Sequence, residues 1–186
     1  RVEFCYGNGK RTHADLLVID NVKDLVNKRI SFIRNRQQMN NPRDLRDGAY
    51  MVYDCEADSI YPNNTPNCNP VDRDEGAERV GMGVLLAKQY LLSDKKDNDL
   101  KSSLLRYAKF LRTRLQTPEY VTYSSVDQKN RNWAYNYVWI AEFYFYMYRA
   151  TGNRQFVRDG YETLRSMFRQ FGHGFYGIGY PVCLGL

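Results

Sequence analysis

The segment 130–170 constrains this chain more than any other. It begins NRNWAYNYVWIAEFYFYMYRA, turns at TGN, and continues RQFVRDGYETLRSMFRQ. Its first half carries Trp133, Tyr135, Tyr137, Trp139, Phe143, Tyr144, Phe145, Tyr146 and Tyr148. Trp133, Tyr137, Ile140, Tyr144 and Met147 follow helical spacing, and so do Tyr135, Trp139, Phe143 and Tyr146. A helix that is apolar on nearly all sides must be buried on nearly all sides. In the second half, Phe156, Tyr161, Leu164, Met167, Phe168 and Phe171 form one stripe, with Arg158, Glu162, Arg165 and Arg169 facing away. The segment predicts an αα-hairpin in which an amphipathic outer helix wraps an inner one. A strand competes over 133–139, where aromatics alternate with Ala134, Asn136 and Val138. The apolar run of about 18 residues is too long for that. A membrane span is disfavoured because Asn136 and Glu142 interrupt a short run.

The 186 residues are 43% hydrophobic and 26% charged, enough for one globular domain with its own core. Aromatics reach 15%, including 16 Tyr, a surplus that suits a binding groove and a bulky core equally. The net charge of +6 permits an acidic partner without specifying one. Without a basic tract or zinc-finger spacing, no nucleic-acid partner is expected. The first residue is Arg1, which suggests a segment from inside a longer, processed chain.

Cys5, Cys55, Cys68 and Cys183 lie outside the predicted helices, and none forms a CxxC pair. An even number of loop cysteines fits two disulfides, with Cys55–Cys68 and Cys5–Cys183 the preferred pairing among three connectivities. Disulfides imply an extracellular, periplasmic or other secretory compartment.

Along the chain, 1–18 carries little signal; Phe4 to Gly9 reads as irregular, and His13 as a surface or core residue. Asp20 or Asn21 caps a first helix over 22–37. Its apolar stripe is Val22, Leu25, Val26, Ile30 and Ile33, and its other face is basic. A long polar loop spans 38–75, with short strand structure around 49–53 and an Asn63-Asn64-Thr65 glycosylation acceptor. Helix two covers 76–92, where Gly81 and Gly83 imply close approach of a neighbour. Helix three covers 98–116, and a second long loop runs over 117–130. The Gly-rich tail after Phe171 is irregular.

Short turns join helices two and three, and helices four and five. Long loops precede helices two and four. In consecutive hairpins this arrangement places both long loops and both of those helix N-termini at one end. Loops held on a rigid scaffold commonly carry sites. The candidate site is therefore the acidic group Asp72, Asp74 and Glu75, together with Arg79, Asn132, Trp133, Tyr135, Asn136 and His173. Paired carboxylates could serve glycoside hydrolysis as acid and as base or nucleophile. Trp133 and Tyr135 could stack on sugar rings, while Asn132 or Asn136 bonds hydroxyls. A lyase would instead use Tyr135 or His173 as base, with Asn132 or Arg79 neutralising a uronate carboxylate. Each residue has an ordinary alternative: the carboxylates cap a helix, the aromatics fill the core, and His173 is a solvated loop residue. Glu142, mid-helix, must line a cavity or pair with a cation. The Gly172, Gly174, Gly177 and Gly179 run lacks the helix and Lys-Ser/Thr of a phosphate loop, and no HExxH, GxSxG or calcium loop occurs. Neither a metal nor a cofactor is expected.

The turn YRATGNRQF at 148–156 with its following helix, and the pair 72–92 and 99–115, resemble the (α/α) toroids of the six-hairpin glycosidase superfamily. The resemblance covers residues 72–171. It implies an all-α fold of consecutive αα-hairpins with long loops at one end. It also implies action on a polysaccharide or oligosaccharide, as a hydrolase or, in related toroids, a lyase. Carboxylates preceding inner helices would then be catalytic, which singles out Asp72, Asp74 and Glu75. A complete toroid has more helices than the five visible here. The chain is therefore expected to be a single helical domain over 1–186 that is part of a larger toroid, with further polypeptide completing it. A non-catalytic glycan-binding or scaffold domain is the alternative.

Overall fold

The computed structural model describes residues 1–19, 21–60, 76–127 and 132–172. The described chain is mostly helical. Its elements are strands β1 (Val2–Tyr6) and β2 (Lys10–Ala14), helix α1 (Val22–Phe32), short strands β3 (Tyr53–Asp54) and β4 (Ser59–Ile60), and helices α2 (Val80–Leu92), α3 (Asn98–Phe110), α4 (Ala134–Thr151) and α5 (Arg154–Phe171). A wide π turn, Ile33–Gln37, ends α1, and another, Leu111–Leu115, ends α3. A 3-10 turn, Ala77–Arg79, leads into α2.

The helix boundaries follow capping chemistry. The Asn21, Asp97 and Asn153 side chains accept from Lys23, Leu100 and Gln155 N–H groups, which the first helical turn leaves without partners. Gly152 ends α4 in the left-handed conformation at φ 72°, and its N–H donates to the Tyr148 carbonyl at 2.7 Å. The TGN signature thus stops one helix and starts the next.

Contacts along the helices give their directions. Gly83 of α2 lies against the Phe143 ring of α4, and further along both helices Lys88 Nζ sits 4.9 Å from the centre of the Tyr146 ring. Beyond α2, Lys95 Nζ donates to the Arg149 carbonyl. So α2 and α4 run parallel. Similarly, Arg34 pairs with Asp97, Gln38 bonds the Ser103 carbonyl, and Arg106 bonds the Met39 carbonyl, so the π turn after α1 and the residues that follow it run parallel to α3. The fold is therefore two antiparallel hairpins, α2–α3 and α4–α5, with the π turn after α1 alongside α3 and Asn27 of α1 bonded by Gln89 of α2.

The core is filled from α2, α3 and α4, with Tyr50 and Met51 of the first long loop sealed into it. The Tyr107 ring packs between Tyr50, tilted at 4.4 Å, and Phe143, edge-to-face at 5.2 Å. As its pattern predicts, α4 is buried on several sides, through Tyr137, Val138, Ile140, Ala141, Phe143, Tyr144, Phe145 and Met147.

Four expectations change. Residues 1–14 form an antiparallel hairpin and not an irregular segment, with Val2 opposite Ala14 and Tyr6 opposite Lys10. Its turn has Asn8 at φ 51° and Gly9 at φ 74°, the two positive angles of the tight turn that Asn-Gly favours. In α5, Tyr161 and Phe168 are exposed; the face against α4 is built from Phe156, Asp159, Gly160, Thr163, Ser166 and Met167. Small residues there let the α4 aromatics approach, and a Cβ on Gly160 would lie 2.6 Å from the Phe145 ring. In α1 and the π turn that ends it, Ile30 and Ile33 are buried, but Val22 and Leu25 are exposed. The strand structure expected around 49–53 is a bridge from Tyr50 to Gln38, followed by β3 paired with β4.

Cys5 and Cys55 are exposed free thiols. Cys68 and Cys183, the partners expected for them, lie outside the described residues, as does the Asn63 acceptor.

Candidate functional site

The start of α2 meets the second long loop; residues 61–75, the end of the first long loop, lie outside the described residues. The Ala77 N–H, just before α2, donates to the Ser124 carbonyl of the second loop at 2.9 Å. The same 3-10 turn packs against α4. The parallel course of α2 and α4 brings both N-termini to this end. Gln116, at the base of the second loop, braces it: its amide donates to Thr122 and Thr163 hydroxyls and accepts from the Tyr144 hydroxyl.

At the start of α4, three aromatics form a ledge. Trp133 stands before the helix in extended conformation, with its ring 5.4 Å from Tyr135; Tyr135 is 4.9 Å from Trp139. All three are half-buried. A core aromatic would be sealed, as Tyr137 and Tyr144 are, whereas these rings keep surface open to solvent. Trp139 packs against the core, as the sequence pattern expects of the later aromatics, and its exposed part extends the ledge one turn beyond Tyr135.

Beside the ledge, Asn132 is held in a closed ring of hydrogen bonds. Its amide nitrogen donates to Gln170 Oε1 at 2.5 Å, its oxygen accepts from the Tyr137 hydroxyl at 2.5 Å, and Gln170 Nε2 donates to that hydroxyl at 2.7 Å. This clamp ties the entry of α4 to the last turn of α5. Burial pushes the Tyr137 phenol up, so it stays a neutral donor. Asn132 retains one N–H and one lone pair for other partners. Sequence reasoning missed Gln170, which reads as an ordinary polar residue at a helix end.

Asn136 lies one turn into α4 and is wholly buried, at 0% exposure. Neither its amide nitrogen nor its oxygen has a hydrogen-bond partner. Arg79 is half-buried, and its Nε is buried without a partner. The Tyr107 hydroxyl is likewise unpartnered, with its pKa raised by burial and partly offset by the nearby Arg79 charge. The Ser124 hydroxyl is a fourth orphan. Leaving such groups unmatched costs about 1–3 kcal/mol each, so native folds keep few of them. Of these, Arg79 lies near enough to Tyr107 for its charge to act on the phenol; Gln37 Oε1, on the turn after α1, is a further unpartnered atom elsewhere.

Asp72, Asp74, Glu75 and His173 lie outside the described residues. The structure brings Trp133, Tyr135 and Asn132 together at the start of α4, sets Arg79 at the start of α2, and buries Asn136 beneath the surface. Glu142, on the same helix, is half-buried; burial raises its carboxyl pKa, and the Lys88 ammonium partly counters this. Among the described residues no group of three His, Cys, Asp or Glu side chains is placed to hold a metal ion, and no helix is long and apolar enough to cross a membrane.

No protein-family model matches the chain, and no curated protein matches it. A solved structure of a protein named as a polysaccharide lyase matches with a TM-score of 0.91 at 72% identity, covering 98% of this chain. The chain spans 27% of the length of that protein.

Proposed function

We propose that this chain is the helical part of a polysaccharide lyase acting on uronic-acid polymers, with the α4 ledge as its glycan-contacting edge. The observation that carries the proposal is the 72% identity, over 98% of the chain, to a protein named as a polysaccharide lyase. That likeness favours β-elimination over the hydrolysis to which the six-hairpin resemblance first pointed. The parallel α2 and α4 with flanking α3 and α5 suit two consecutive hairpins of an incomplete (α/α) toroid, whose remaining helices would come from further polypeptide.

Elimination at a uronate needs three services. A base removes the C5 proton, which is acidic only if the adjacent carboxylate is neutralised. The electron pair forms the C4–C5 double bond as the C4–O bond breaks, and the departing oxygen takes a proton. No water is consumed. Arg79, a cation with an unpartnered Nε at the loop end, suits the carboxylate. Trp133 and Tyr135 suit the sugar faces, and the half-exposed Tyr135 phenol is a candidate proton carrier. Asn132, fixed by Tyr137 and Gln170, offers its remaining N–H to a hydroxyl or carboxylate oxygen. Asp72, Asp74, Glu75 and His173 remain candidates for the base or acid.

The test is product chemistry on acidic polysaccharides with the complete protein. Elimination gives oligosaccharides with an absorbing unsaturated uronate at the non-reducing end. Trp133→Ala should raise KM about tenfold, the loss expected for one good stacking contact. Saturated products would support the hydrolase, and glycan binding without cleavage would support a non-catalytic domain; either outcome overturns the proposal.

A further inference from the structure

The β1–β2 hairpin has a two-sided pattern that the helical body does not use. The register places Val2 opposite Ala14, Phe4 opposite Thr12 and Tyr6 opposite Lys10 on one face. Glu3, Cys5, Arg11 and His13 occupy the other. Strand residues two apart share a face, so the first face is the apolar one. Every residue of β1 is nevertheless exposed, with Phe4 at 51% and Tyr6 at 56%. The apolar run continues through Leu16, Leu17, Val18 and Ile19, all exposed, to Val22 and Leu25 of α1. A two-stranded hairpin has marginal stability alone. A contiguous uncovered apolar stretch of this kind marks an interaction surface.

We propose that this hairpin docks onto a β-sheet formed by the same polypeptide beyond these residues. Two observations select that occupant. The matched lyase chain, aligned over 98% of this one, devotes only 27% of its length to these residues, so there is ample polypeptide to supply a sheet. The hairpin also presents two kinds of unmet demand: an apolar face and, on the outer edges of a sheet that has only these two strands among the described residues, backbone N–H and C=O groups open to a further strand. A helix could cover the face but not the edges. A two-layered sheet satisfies both, one strand pairing along β1 or β2 and the facing layer packing on the apolar side. The run 16–25 would lie in the seam between that sheet and the helical body. The proposal does not depend on which reaction the protein performs.

The test is amide hydrogen exchange on the complete protein. Docked strands should exchange at least about 100-fold more slowly than an unstructured chain, whereas an undocked hairpin opens freely. Phe4→Asp should remove that protection and lower the melting temperature, while Arg11→Ser, on the opposite face, should leave both unchanged. Circular dichroism of Phe4→Asp should retain the helical signal, separating undocking from failure to fold. Exchange of β1 and β2 at the unstructured rate would overturn the proposal. So would protection that grows with protein concentration alongside dimer formation, which would make a second copy the occupant.

Discussion

At the residue scale, the glycines show how closely sequence and packing are linked. A Cβ on Gly83 would meet Tyr107 Cε1 at 2.6 Å and Phe143 Cε2 at 2.9 Å, both on sealed rings. Gly83→Ala should therefore destabilise by about 1–3 kcal/mol, the cost of overpacking a core. Gly81, two positions away, has nothing within 4 Å, so Gly81→Ala should stabilise by about 0.5–1 kcal/mol through helix propensity. Paired denaturant melts of the two variants would check the opposite signs. The sequence marks both glycines as candidates for close approach, and only packing separates them. Glu142 gives a pH signature. Burial holds its pKa above the unfolded value, so its ionisation costs the folded state more than the unfolded one. Its contribution is most favourable below the unfolded carboxylate pKa and is lost as pH rises through the folded value. Glu142→Gln should accordingly raise the melting temperature at neutral pH and change it little in acid. An equal effect at both ends of that range would contradict the assignment.

At the element scale, most helices were legible because their ends carry local chemistry. Asn21 caps as the sequence suggests, Asp97 and Asn153 cap in the same way, and Gly152 supplies the left-handed residue at a helix stop. The hairpin at 1–14 was equally legible in principle: Val2, Phe4 and Tyr6 alternate ahead of Asn8-Gly9, a strong short-range turn signal. It escaped because the strands are short and polar residues fill the opposite face. The side-chain nodes could not be read, since they join residues remote in sequence. Gln116 meets Thr163 across 47 positions, and Asn132 meets Gln170 across 38. Gln116→Ala would leave the buried Tyr144 hydroxyl without its acceptor and should cost about 1–3 kcal/mol, visible as a shifted denaturation midpoint. Gln170→Ala opens the ring that fixes Asn132 and Tyr137. It should raise KM more than Leu105→Ala, a truncation on the exposed face of α3.

At the scale of the whole molecule, alternating loop lengths predicted that the long connections and the α2 and α4 N-termini share one end; the described residues show α2 and α4 parallel, with the Ala77–Ser124 bond joining the turn before α2 to the second loop. The aromatic ledge beside that junction belongs to the same helix that forms the buried heart of the fold. What one chain's sequence could not supply is the chemistry: carboxylates before an inner helix suit hydrolysis, whereas a cation, phenols and amides suit elimination. Local pattern does not rank them; the proposal of elimination takes its support from the likeness to a protein named as a polysaccharide lyase. Isotope tracing would settle the choice. The complete protein would digest an acidic polysaccharide in heavy-oxygen water, and the products would be weighed. β-elimination adds no water, so the account predicts products one water lighter than hydrolytic fragments, with no heavy oxygen incorporated at the cleavage site. Full-weight products carrying one heavy oxygen per cut would contradict it.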